Sequence, residues 1–267
     1  MALFLGNEFA NTLNGGTGDD AVLGFGGNDN LTGGNGNDGI AGGAGNDSLF
    51  GGNGNDGLDG GEGNDHLDGG NGNDAMVGGD GNDRLFGGNG NDDMRGGDDN
   101  DSLYGGNGND VMEGGAGNDT VEGGAGNDTV IGGTGNDFLD GGDDRDTFTG
   151  GSGNDTYDFD STADMGTSSL TRDVITAFGD VFANDQDRID LQTIDANATT
   201  AVNDAFSATF IAAGSAFTAA GQIRVVQNPL DLTQRIVELN TDNDVSVEAS
   251  ILVQVGGNNL DSTDFFL

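Results

Sequence analysis

The chain has 267 residues, 55 of them glycine and one proline, and its 47 acidic residues face only seven basic ones for a formal net charge of −40. Such a polyanion is repelled by nucleic acid and by anionic membrane surfaces, so neither is expected as a partner. With 33% apolar and 6% aromatic residues, a single large hydrophobic core is not expected, which leaves disorder or a fold that needs cations.

Cysteine is absent, which removes disulfides, thiolate chemistry and cysteine-ligated zinc or iron–sulfur clusters. The first residues, Met1-Ala-Leu-Phe-Leu-Gly, lack the basic region and the full apolar region of a cleaved secretory signal. The longest mainly apolar stretch, around Phe210 to Gly221, is too short to span a bilayer, so no transmembrane segment is expected.

In chain order, residues 1–14 hold a short apolar lead and one imperfect nonapeptide, Gly6 to Asn14, with Asn11 where later units carry aspartate. That places an N-terminal cap ahead of the array. Residues 15–158 are then one period of nine repeated sixteen times without insertion or deletion. One unit is Gly51-Gly52-Asn53-Gly54-Asn55-Asp56-Gly57-Leu58-Asp59. Position one is always glycine, and position eight is always apolar, from Val22 and Leu31 to Phe148 and Tyr157. Position six is always aspartate: Asp20, Asp29, Asp38, Asp47, Asp56, Asp65, Asp74, Asp83, Asp92, Asp101, Asp110, Asp119, Asp128, Asp137, Asp146 and Asp155. Phe25 replaces the second glycine of its unit, and Asp99 and Asp144 replace the fourth of theirs.

Glycines at positions one, two and four permit positive φ and tight curvature, so GGxGxD predicts a turn with inward-pointing carbonyls. The three residues after it predict a very short strand with only its middle side chain facing inward. One apolar residue in nine cannot bury itself alone, so the units must stack. Two turns and two strands close a coil, which puts repeats n and n+2 one above the other. Leu49, Leu67, Leu85 and Leu103 are then expected on one inner wall, with Ile40, Leu58 and Met76 facing them. Eight such coils predict a rod of about 38 Å. The aspartates stack as well, each beside its counterpart one coil away, an arrangement that is repulsive unless a cation sits between them. Carboxylate and carbonyl donors without histidine or sulfur select calcium over zinc or copper. Sixteen repeats paired n with n+2 make about fourteen complete inter-turn sites. The array carries 30 acidic residues against three arginines, so fourteen divalent ions would nearly neutralise it.

This array resembles the RTX (repeats-in-toxin) family, whose GGxGxDxUx nonapeptides form a calcium-bound parallel β-roll. The resemblance implies an all-β solenoid with ions held between stacked turns. Carried over to one pair of turns, it implies ligation by the carbonyls of Gly33 and Asn35 with Asp38, and by the carbonyls of Gly52 and Gly54 with Asp56. Asp99 and Asp144 are expected to alter affinity without abolishing binding, and Asn11 to cap rather than ligate.

Residues 159–267 depart from the period and turn rich in Ala, Thr, Val and Ile. Strands are predicted over Asp173–Phe178, Arg188–Leu191, Gln222–Val226, Arg235–Leu239 and Val247–Val255, a small β-rich module placed to cap the roll. Asp173-Val-Ile-Thr-Ala-Phe, Asp187-Arg-Ile-Asp-Leu, Asn203-Asp-Ala-Phe and the ending Asp264-Phe-Phe-Leu resemble the C-terminal domain of serralysin-type metalloproteases. That resemblance implies an uncleaved signal for a type I (ABC-transporter) exporter and an extracellular or cell-surface location. Asn240-Thr-Asp242-Asn-Asp244 is spaced like a further calcium loop, although Val245 replaces the usual glycine and Ile251 stands where a bidentate glutamate belongs.

Other motifs carry no chemistry. GxGxxG at Gly34–Gly39 and Gly52–Gly57 is a by-product of the repeat. The single histidine, His66, falls at outward position seven, where a solvated side chain is expected. Neither HExxH nor GxSxG occurs, so no enzymatic activity is expected. Repeats that begin close to Met1 point to a secreted structural protein, folded by calcium after export and self-associating into a filament, matrix or surface layer. The alternative is a calcium-dependent accessory module for a separately encoded enzyme or toxin.

Overall fold

The computed structural model describes residues 1–159, 173–176, 187–190, 209–211, 222–227, 234–240, 249–254 and 265–266. The chain is an all-β solenoid. Each repeat period contributes one strand, and successive strands alternate between two sheets, of 14 and 11 strands among the described residues. Through the array, neighbours within a wall are parallel and one coil apart. Leu49, Leu67, Leu85 and Leu103 stack in register on one wall, and Ile40, Leu58 and Met76 on the other, as expected. All sixteen position-eight residues from Val22 to Tyr157 are buried, none more than 3% exposed. The core is thus a double file of single side chains, each layer closed by the coils above and below it.

The strands are longer than the sequence suggests. Gly57–Glu62 and His66–Asn71 each hold six residues, running from position seven of one repeat through position three of the next. The first two glycines of the turn therefore still pair with the next coil, as Gly61 does with Gly79. Only positions four to six leave the ladder.

At the front, Leu3–Asn7 and Thr12–Thr17 pair in register with Ala21–Gly26 and Asn30–Asn35, so the imperfect unit is a genuine coil. At the back, the strands after the array extend the same two walls. Val174–Thr176 stacks on Thr147–Ser152, and Arg188–Asp190 on Thr156–Asp158. Ala249–Gln254 pairs with Val174–Thr176, and Gln234–Asn240 and Gln222–Gln227 follow as antiparallel neighbours. Each of the five predicted strands has a described strand within it or over it; the predicted ends at Ala177, Phe178, Leu191, Val247, Glu248 and Val255 lie outside the described residues. Thr209–Ile211 and Phe265–Phe266 add two short ones that the sequence pattern did not mark.

Ile175, Ile189, Val237, Ile251 and Val253 continue the buried core. Larger side chains fill the core where the array ends, with Phe148 edge-on to Tyr157 and Phe159 at 6.0 and 5.5 Å. The Tyr157 hydroxyl accepts the Gly150 N–H at 3.0 Å. Among the described residues no helix is long and apolar enough to cross a membrane.

Candidate metal centre

All sixteen repeat aspartates lie under the turns, and none is more than 5% exposed. One carboxylate oxygen of each serves the backbone. The N–H of Asp20 donates to Oδ1 of Asp38, that of Asp38 to Asp56, and that of Asp56 to Asp74, each at 2.7 Å. A second ladder climbs the opposite edge through Asp29, Asp47, Asp65 and Asp83. Charged acceptors make these bonds stronger than neutral ones. They tie each coil to the next wherever the strand pairing lapses.

Both ladders outrun the array. Asn11 donates to Oδ1 of Asp29 at 2.6 Å at the front. At the back, Asp146 donates to Asp173 at 2.8 Å and Asp155 to Asp187 at 3.1 Å. Asp173-Val-Ile-Thr and Asp187-Arg-Ile-Asp therefore act as positions six to nine of two further units that lack the GGxGx lead in sequence. The sequence marks both motifs but not this role. Their Asp-x-apolar-x pattern was the available signal, obscured because the ladder spacing grows from 18 to 27 and 32 residues.

The other carboxylate oxygen has no such use. From Asp29 to Asp137, every Oδ2 is buried without a hydrogen-bond partner. A run of buried unpaired carboxylate oxygens is untenable without a counter-charge. The gap between the turns Gly51–Asp56 and Gly69–Asp74 shows what surrounds one of them. Oδ2 of Asp56 and the carbonyl oxygen of Gly69 each lie 2.6 Å from the point where a Cβ on Gly51 would sit. The carbonyls of Gly52 and Gly54 are directed at Gly70 and Gly72 across the same gap. The Asn71 carbonyl faces back and accepts the Gly54 N–H at 2.8 Å. Oδ1 of Asp74 completes a set of six oxygens. Two carboxylates with four carbonyls suit a hard divalent ion of flexible, oxygen-rich coordination, as calcium is. Among the described residues no group of three or more His, Cys, Asp or Glu side chains gathers anywhere, so the donors available for an ion are mixed carboxylate and carbonyl sets of this kind.

The structure corrects three sequence expectations. First, carbonyls at positions one and three face the preceding coil, and those at two and four face the following one. Gly33 and Asn35 thus face the turn at Gly16–Gly18, where Gly18 donates to the Asn35 carbonyl at 2.5 Å, while Gly52 and Gly54 face the turn at Gly70–Gly72. These four carbonyls belong to two separate gaps, not to one shared site. Second, positive φ occurs at positions two and four, as at Gly52 (112°) and Gly54 (132°), but not at position one. Position one is glycine for lack of room, since a Cβ there meets the aspartate of its own turn. Third, His66 is not a free solvated side chain: its ring lies 5.8 Å from that of Phe50 and 5.2 Å from that of Phe86.

Among the described residues, the non-glycine residues at positive φ are Phe25, Asp99 and Asp144, the three departures from the repeat's glycines. The backbone therefore imposes the turn even where the side chain opposes it. The Asp99 carbonyl still points at Gly117 in the next coil, as a glycine carbonyl would. In the imperfect unit the Asn11 Oδ1 accepts the N–H of Asn7 within its own turn at 2.7 Å. Asn240 ends a described strand, whereas Asp242, Asp244, Asn203 to Phe206 and Asp264 lie outside the described residues.

Stacking also shifts protonation. Burial is the main cause, pushing Asp65, Asp74, Asp110, Asp128 and Asp137 up to about 6, Asp83 to about 7 and Asp101 to about 8. The ladder hydrogen bond pulls each value down. Repulsion from aspartates one coil away pushes it up again, as Asp83 and Asp119 do to Asp101. The metal-free roll is thus held together around carboxylates that resist ionising.

Residues 5–40, 39–67, 51–85, 68–103, 86–121 and 122–157 match the family described as RTX calcium-binding nonapeptide repeat. Among solved structures, the solution structure of the AlgE6R3 subunit from the Azotobacter vinelandii mannuronan C5-epimerase is similar to this chain. The two are 25% identical, with 63% of this chain and 78% of that chain covered and a TM-score of 0.31. No curated protein matches the chain.

Proposed function

The chain belongs to the RTX calcium-binding nonapeptide repeat family, and on that premise we propose that it is a secreted structural protein whose roll folds on calcium after export and assembles head to tail. The file of buried, partnerless Oδ2 atoms carries this reading. Bound calcium would supply the positive charge and the oxygen coordination that these gaps require. Sixteen repeats paired across successive coils provide fourteen such gaps. In a calcium-poor cytosol the unneutralised ladders and the entropy of 55 glycines favour the unfolded chain, a form suited to a narrow exporter. Millimolar calcium outside reverses the balance. The C-terminal resemblance to serralysin-type proteins supports a type I export signal, and the reading assigns the protein no reaction of its own.

Assembly is supported by the front of the roll. Leu3–Asn7 and Thr12–Thr17 are the outermost strands of their sheets, and Leu3 (61%), Leu5 (55%) and Phe9 (77%) are exposed beside them. An open sheet edge with apolar side chains is a template for pairing. A head-to-tail contact of that kind propagates into a fibre.

Two measurements test the proposal. Circular dichroism with calcium and then with excess chelator should show β-structure appear and collapse. The same signal in both conditions refutes calcium-coupled folding. Electron microscopy of the calcium-loaded protein should show fibres or layers that disappear in a Leu3→Asp/Leu5→Asp variant. Isolated particles in both samples refute assembly.

A further inference from the structure

One outer wall carries a feature that neither calcium binding nor assembly uses. Phe50, His66, Phe86 and Tyr104 form a continuous ladder of rings over four adjacent strands, Ser48–Asn53, His66–Asn71, Arg84–Asn89 and Ser102–Asn107. Phe86 and Tyr104 stack almost parallel, 4.9 Å apart at 9°. The Arg84 guanidinium lies over the Phe86 ring at 5.8 Å. All four rings remain partly exposed. At the usual strand spacing the ladder runs for about 14 Å along the axis of the roll.

We infer that this strip binds a neutral polysaccharide lying along the solenoid. Flat aromatic faces on a rigid sheet receive the apolar faces of sugar rings. Side chains among and beside the rings can both donate (His66, Arg84, Tyr104) and accept (Asp68) hydrogen bonds, as a ligand dense in hydroxyls demands. Charge decides between ligands that share this appetite for rings. Aromatic and basic side chains together also suit single-stranded nucleic acid, and Arg84 alone would suit a carboxylated glycan. With calcium offsetting the buried aspartates, the outward side chains set the local charge, and on these four strands Asp68 and Arg84 cancel, so the strip offers a polyanion no net attraction. A neutral chain needs none. The inference holds whether or not the rods assemble.

The chain has two tyrosines and no tryptophan, and Tyr157 is fully buried, so Tyr104 is the natural optical reporter. The full-length calcium-loaded protein is run through native gels containing hydroxyethyl cellulose, alginate or no polymer. Its tyrosine emission is titrated with the same polymers. The neutral glucan should retard the protein and change the emission. Phe86→Ala/Tyr104→Ala should weaken retardation by about tenfold or more with an unchanged calcium-dependent dichroism spectrum. Tyr104→Phe should keep the retardation and lose most of the emission change. If the double variant fails to fold, Arg84→Gln, which spares every ring, should still weaken retardation several-fold. Equal mobility with and without glucan overturns the inference. So does stronger retardation by alginate than by the glucan, or equal retardation of the wild type and the folded variants. Ring-dependent dimers in sedimentation would assign the strip to a second copy and overturn it too.

Discussion

The backbone N–H of Asp56 donates to Oδ1 of Asp74, one coil further on, at 2.7 Å. The N–H of Asn55, immediately before it, donates the opposite way, to Oδ1 of Asn37 at 2.9 Å. Adjacent residues thus clamp the coils on either side, aspartate inside the turn and asparagine on its surface. This pairing explains why Asn-Asp recurs at positions five and six, where turn propensity alone would accept many residues.

Replacing Asp74 separates its two duties. Asp74→Ala removes the acceptor for the Asp56 N–H, and a buried donor left unpaired costs about 1–3 kcal/mol. It also removes a carboxylate from the gaps on either side. Asp74→Asn keeps an oxygen for the ladder and loses only charge. Calcium titration should show at least one site lost in both variants. Thermal melts in calcium should show the alanine variant to be the less stable of the two.

Glycines should differ in tolerance by position. A Cβ on Gly51 falls 2.6 Å from both Oδ2 of Asp56 and the Gly69 carbonyl, so Gly51→Ala forces oxygens out of a ligand set. Overpacking of that kind costs about 1–3 kcal/mol before any loss of metal. Gly39, at position seven, meets nothing within 4 Å and has no positive φ. Gly39→Ala should stabilise the roll by about 0.4–1 kcal/mol through the unfolded chain. Denaturant melts in saturating calcium decide both signs.

What could be read from sequence followed the side chains. The nine-residue period, the eighteen-residue coil, the two inner walls and the buried aspartates each rest on a residue type that repeats where it is needed. Strand length did not show, because Gly60 and Gly61 look the same whether they pair in a ladder or turn a corner. Carbonyl direction did not show either, since no side chain encodes it: Gly33 faces the coil before it and Gly52 the coil after it, although both are turn glycines of the same motif. Asp173 and Asp187 were hidden by spacing. The rings around His66 become neighbours only once strands eighteen residues apart are laid side by side.

Without metal, stability should fall as pH rises. Asp65, Asp83 and Asp101 have folded values of about 6, 7 and 8 against 3.8 for an ordinary aspartate. Between about pH 4 and 8 the folded apo chain therefore holds more protons than the unfolded chain, and linkage makes its stability decline across that window. Dichroism in chelator should show more β-structure at pH 5 than at pH 8. In calcium the trend should flatten or reverse, because protons compete for the ligand oxygens. A metal-free roll equally folded at both values would contradict the buried-carboxylate account.

The last prediction concerns the ends of the ladders. Asp173 is fully buried and its Oδ1 accepts the Asp146 N–H at 2.8 Å; its own carbonyl accepts the Leu252 N–H at 2.9 Å. One residue thus joins the fifteenth turn of the array, the last on its edge of the roll, to a strand nearly eighty positions later. Asp187 holds the other edge through the Asp155 N–H. Asp173→Ala should therefore uncouple the C-terminal strands while leaving the middle of the roll intact. Hydrogen exchange in calcium should show protection lost over 174–176 and 249–254 and retained over 57–62. Asp173→Asn, which keeps the acceptor oxygen, should restore much of that protection. If the alanine variant loses protection evenly along the roll, the ladder is a single cooperative unit; if it loses none, the packing of Ile175, Val237 and Val253 suffices to hold the end.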